Sequence, residues 1–119
     1  MNCTVADFAK DRTIYNITNA TAEELDNKLN LFFTSEGYTL LKEKSGEKVF
    51  KKGNKVLRYI LGALVTYHQV LVATKSSGDM FSVMVQRDSS GFSGGVVGMN
   101  QVKKEFARLT ESFKTYFSS

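Results

Sequence analysis

The sequence predicts an α+β fold: an antiparallel sheet of about five strands with two helices packed on one face. Three observations predict it. Two pairs of β-favouring runs flank short glycine-bearing turns, which is how antiparallel hairpins are written. Two other segments, in the first third and at the end of the chain, carry apolar residues at helical spacing,. Each of these has a single apolar stripe, so each must lie on a surface that hides it. At 119 residues the chain has the length of one domain,. Residues 1–11 show no period and are expected to fray,.

The first strand is RTIYNIT, Arg12 to Thr18, rich in β-branched and aromatic residues,. Thr21-Ala22-Glu23-Glu24 then forms a capping box. The Thr21 hydroxyl accepts from the backbone three residues on, and Glu24 reaches back. Leu25, Leu29, Phe32 and Phe33 follow at helical spacing, and Gly37 supplies a left-handed stop,. A helix is therefore expected from Ala22 to Ser35.

GYTLLKEK (37–44) and EKVFKKG (47–53) flank Ser45-Gly46 and read as a tight hairpin,. TYHQVLVATK (66–75) and MFSVMVQR (80–87) flank Ser76 to Asp79 and read as a second,. Phe81, Val83 and Val85 alternate with Ser82, Met84 and Gln86, so one face of that strand is apolar,. Its partner has Val70 and Val72 on one side and Tyr67, Leu71 and Ala73 on the other, the pattern of an interior strand covered on both faces,. Met99, Val102, Phe106, Leu109, Phe113 and Tyr116 form one helical stripe, so the last helix is expected over Asn100–Phe117 with Asn100 as its N-cap,. Glu105 is placed to meet the positive end of that helix,. Between the hairpins, GNKVLRYILGALV (53–65) is apolar, and its period fits strand and helix equally,.

The resulting order, β-α-β-β-β-β-α, resembles the TATA-binding-protein-like group and, less closely, the helix-grip ligand binders. The resemblance lies in element order over most of the chain. No motif carries it, so it transfers no functional residue.

Composition narrows the class further. With 42% hydrophobic and 24% charged residues the chain is a folded one rather than a disordered one,. No apolar run reaches the ~18 residues of a spanning helix,. No basic start followed by an apolar run marks a signal peptide, and a lone Cys3 makes no internal disulfide, so a cytoplasmic location is expected,. The Asn-x-Thr triplets at Asn2, Asn16 and Asn19 are read as chance and capping chemistry,.

The titratable residues argue against an enzyme. His68 is the only histidine, lies in a strand pattern, and has no carboxylate near it in sequence,. Cys3 and His68 are too few for a zinc site,. Glu23, Glu24 and Asp26 are explained by capping,. No catalytic residue, metal or cofactor is expected.

The stretch SSGFSGGVVGMNQVKKEF (89–106) tests for a phosphate loop. A dinucleotide fingerprint needs a following strand and an acid ~20 residues on. A Walker loop needs Lys and then Ser or Thr after its last glycine. Met99 and Asn100 follow Gly98 instead, so both fail. The stretch reads as the joint between the sheet and the last helix, leaving Phe92, Gly94, Gly95 and Gly98 as candidate ligand or partner contacts.

The net charge of +4 is concentrated. Residues 42–58 hold seven basic residues against two acidic ones, a surplus of five. Lys44, Lys48, Lys51, Lys52, Lys55 and Arg58 form a candidate basic patch for nucleic acid or anionic membrane, with Tyr38, Phe50 and Tyr59 available to stack,. Lysine outnumbers arginine there, which favours a solvated edge over a base-reading surface. Leu57, Ile60 and Leu61, if exposed, would make a partner or membrane patch,. The sequence thus favours a non-enzymatic binding module. Its target is a protein contact, self-association included, or a small apolar ligand held between sheet and helices near Phe32, Val83 and Phe106.

Overall fold

The computed structural model describes residues 1–9, 11–44, 46–53, 67–88 and 95–118. In chain order these form β1 (Asn2–Phe8), β2 (Arg12–Thr18), α1 (Ala22–Ser35), β3 (Thr39–Lys44), β4 (Glu47–Gly53), β5 (Tyr67–Ser77), β6 (Met80–Asp88) and α2 (Gly95–Phe117). The α+β class is as expected, with one strand more. The six strands form one antiparallel sheet in the order β1-β2-β6-β5-β4-β3. The connection through α1 carries the chain from β2 to β3 at the far edge, and β6 returns to pair with β2.

The extra strand is β1, which lies in the segment expected to fray. It shows no alternation because it is an edge strand with Cys3 its one buried side chain. A bulge at Ala6 breaks its register between Val5 and Asp7.

α1 has the expected bounds, and both of its ends are closed. Thr21 Oγ1 accepts from Glu24 N at 3.1 Å, and Thr21 N donates to Glu24 Oε1 at 2.9 Å. At the other end Gly37 takes φ +88°, Gly37 N donates to Thr34 O and Tyr38 N donates to Phe33 O at 2.8 Å. These two bonds make a Schellman motif. The hydrophobic contact that accompanies it is the Tyr38 ring set edge-on to Phe33, 5.8 Å between centroids.

Alternation places Tyr15 and Ile17 of β2, Val83 and Val85 of β6, Val70 and Val72 of β5 and Phe50 of β4 on the same face, where both helices cover them. Phe33 of α1 stacks on Phe50 at 4.4 Å, and Phe113 of α2 stacks on Tyr15 at 4.3 Å and Phe117 at 4.1 Å. Phe32 meets Phe113 edge-on at 5.3 Å, joining the two helices. Rings in such pairs add about 0.5–1.5 kcal/mol beyond the area they bury.

The opposite face carries Ile14, Met84, Leu71, Ala73 and Val49 in cross-strand rows, all half-buried. Among the described residues no helix lies over it. Whether β5 is covered on both faces, as the sequence suggests, is not decided by the described residues, since residues 54–66 and 89–94 lie outside them. A run of apolar residues on both sides of a strand does not say whether the second face has a partner.

α2 begins at Gly95, five residues before the expected start, so Asn100 lies inside the helix and does not cap it. Gly95 and Gly98 belong to its first turns, whereas Phe92 and Gly94 lie outside the described residues. β6 ends at Asp88 and α2 begins at Gly95, with residues 89–94 between them outside the described residues. Residues 54–66, including Lys55, Leu57, Arg58, Ile60 and Leu61, also lie outside the described residues. Among the described residues no helix is long and apolar enough to cross a membrane.

Candidate functional site

The site is built from the β3–β4 hairpin and the first three turns of α1. Alternation along β4 turns Lys48, Phe50 and Lys52 toward the helices. Phe50 enters the core, but Lys48, nearer the hairpin tip, comes up against α1. Its side chain is 8% exposed. Burying an ammonium is tolerated only with partners, and three are present. Lys48 Nζ lies 2.8 Å from Asp26 Oδ1, donates to Asn30 Oδ1 at 2.8 Å, and lies 3.7 Å from Glu43 Oε2. Asp26 and Asn30 are four residues apart on one stripe of α1,. Glu43 is the cross-strand neighbour of Lys48. The two carboxylates remain about half exposed.

These residues form one wall of a cleft of about 540 Å³. Leu25, Leu29 and Phe81 supply its apolar surface, Thr74 and Ser76 of β5 add hydroxyls, and Glu43, Lys44, Gly46, Glu47 and Lys48 form the hairpin side. Gly46 holds the tip in place. Its φ is +78°, and its carbonyl accepts from Thr74 N at 2.7 Å, fastening the hairpin to β5.

A second polar cluster lies at the other end of the sheet. Glu105 of α2 accepts from the Tyr38 hydroxyl at 2.7 Å and from Arg108 Nε and Nη2 at 2.9 and 2.8 Å. Arg108 Nη1 also donates to Glu36 at 3.0 Å, and Lys52 Nζ lies 3.7 Å from Glu105. Burial by itself raises the Glu105 carboxyl, but the hydrogen bonds from Arg108 and Tyr38 and the charges of Arg108 and Lys52 outweigh it and hold the group below its ordinary value,. Burial, and then the bond to Glu105, push the Tyr38 hydroxyl up. The cluster ties the end of α1, the start of β3, β4 and α2 together, and among the described residues it lines only a small void. His68 is buried on the helix side of β5, beside a void of about 10 Å³ that Tyr38 and Glu105 also line.

The structure divides the basic stretch between two faces. Lys48 and Lys52 point to the helix side, and each faces carboxylates. Lys51 is half-buried on the other face, and Lys44 is exposed at the hairpin tip, where it lines the cleft. Phe32, Val83 and Phe106 are core residues and share no cavity among the described residues. The cleft lies at the sheet's end instead, because the aromatic stack fills the centre. Sequence reasoning missed Asp26, Asn30 and Glu43 as partners of Lys48. The hairpin pairing of Glu43 and Lys48 was readable, but the approach of α1 to that hairpin was not. Among the described residues no group of three His, Cys, Asp or Glu side chains is placed to hold a metal ion. No protein-family model matches this chain, and no curated protein matches its sequence.

Proposed function

We propose that this chain is a non-enzymatic binding module that takes a small, mainly apolar ligand into the cleft beside the β3–β4 hairpin. The observation that carries the reading is the cleft itself, whose 540 Å³ falls within the roughly 300–1,000 Å³ of ligand sites. Its wall chemistry supports the same reading. Leu25, Leu29 and Phe81 offer apolar contact, while Thr74, Ser76 and the clamped Lys48–Asp26 pair offer a few polar groups in fixed positions. A buried amine already held by Asp26 and Asn30 does not move on binding, so little ordering cost is added.

The test uses a neutral phenylnaphthylamine dye, which brightens on leaving water, together with native mass spectrometry of the freshly purified protein. Saturable dye binding that Phe81→Asp removes, with the circular dichroism of the wild type retained, supports the cleft. A wild-type protein that neither brightens the dye nor carries a co-purifying mass overturns it.

A further inference from the structure

The two edges of the sheet differ. β3 presents Lys42, Glu43 and Lys44, all exposed, and a bulge at Leu41. Charged side chains and bulges are how edge strands avoid pairing with other chains. β1 carries a single charge, Asp7, which already faces Arg12 of its own chain at 3.5 Å. Its regular edge runs from Asn2 to Val5, ahead of the bulge. Beside it lies an open groove of about 220 Å³ between β1 and α2. In that groove Val5 is 41% and Phe8 68% exposed.

We infer that the β1 edge, together with the neighbouring flank of α2, is the interface of a two-fold dimer of this chain. Paired antiparallel about a two-fold axis near Thr4, two β1 strands join their sheets into one. Their unpaired backbone groups are then satisfied reciprocally. Val5 of each copy then lies beside the axis, opposite Cys3 of the other, and the two grooves run on from one another. The choice of a second copy as occupant rests on charge. Tyr15 is the cross-strand neighbour of Val5, and its hydroxyl donates to the Thr110 carbonyl at 2.8 Å. The turn of α2 that holds Glu111 and Lys114 therefore lies level with the strand's regular stretch, and both side chains line the groove. The two-fold runs the two helices antiparallel, so Glu111 of each faces Lys114 of the other. Asp7 meets no second acid. A surface with one anion and one cation placed about its own two-fold axis is complementary to itself.

Sedimentation velocity over a wide concentration range tests this. The wild type is expected to approach the mass of two chains. Val5→Lys puts a cation beside the axis, against the buried Cys3 of the other copy, and Glu111→Lys sets like charges opposite each other. Each should weaken dimerisation roughly tenfold or more. Glu111→Lys lies on an exposed helix position, so it remains informative if Val5→Lys fails to fold. The double exchange Glu111→Lys with Lys114→Glu should restore the dimer. A wild type that stays monomeric throughout overturns the proposal, as does any folded single variant that dimerises as tightly as the wild type. The cleft lies between α1 and the opposite half of the sheet, so dye binding and dimerisation can fail independently.

Discussion

Glu105 shows how one side chain can be both buried and charged. Its side chain is 13% exposed, and it is held by one donor from Tyr38 and two from Arg108. The sequence assigns it to the positive end of a helix starting at Asn100. With the helix starting at Gly95, Glu105 is in the third turn, beyond the reach of that dipole,. Its real partner, Tyr38, is 67 positions away, and no spacing rule reaches that far. Replacing Glu105 with Gln keeps the volume and removes the charge. Because Arg108 is partly exposed, the cost is discounted to about 1–2 kcal/mol at neutral pH, read as a lower midpoint in urea. The carboxyl is depressed in the folded state, so its contribution is complete above the ordinary value of 4.5 and is lost as pH falls through the folded value,. The gap between wild type and Glu105→Gln should therefore narrow below that pH. A gap that stays constant to strongly acid pH would show that the charge is not what stabilises.

At the scale of elements, local chemistry decided what was readable. α1 was legible to the residue because its stripe, capping box and terminal glycine all agree. The hairpins were legible because Gly46 and Gly78 sit between β-favouring runs, and both take positive φ, +78° and +62°. β1 was not legible, since an edge strand in contact with one helix has no buried face to write into its sequence. The start of α2 was not legible either. Gly95-Val96-Val97-Gly98 are poor helix formers, so local propensity points away from the helix that begins there,. The two hairpin glycines lead to different expectations. Gly78→Ala meets open space, so it costs only the left-handed backbone penalty of about 1 kcal/mol,. At Gly46 a Cβ would also sit 3.2 Å from the Thr74 carbonyl oxygen. Gly46→Ala should therefore lower the unfolding midpoint more than Gly78→Ala, and equal effects would mean that the fastening to β5 is slack.

For the whole molecule, the stack of Tyr15, Phe113 and Phe117, joined by Phe32, fastens α2 to the sheet and to α1. Phe113 is fully buried at its centre. Phe113→Ala should cost about 3–5 kcal/mol, a large part of the roughly 5–15 kcal/mol that holds a domain of this size. The urea midpoint should fall sharply with an unchanged slope, and a small shift would mean the neighbouring rings collapse into the gap. The sequence by itself determined the α+β class, both hairpins, α1 and the stripe of α2, because each is written in periodicity and turn chemistry within a few residues. Only the tertiary structure decided that Lys48 is buried against Asp26 and Asn30, that β1 completes the sheet, and that the cleft lies at the hairpin end. The first and the last depend on α1 crossing the sheet between β2 and β3, and contacts between distant segments leave no period in the chain; β1 pairs locally with β2 but, at the edge, has no buried face to write one.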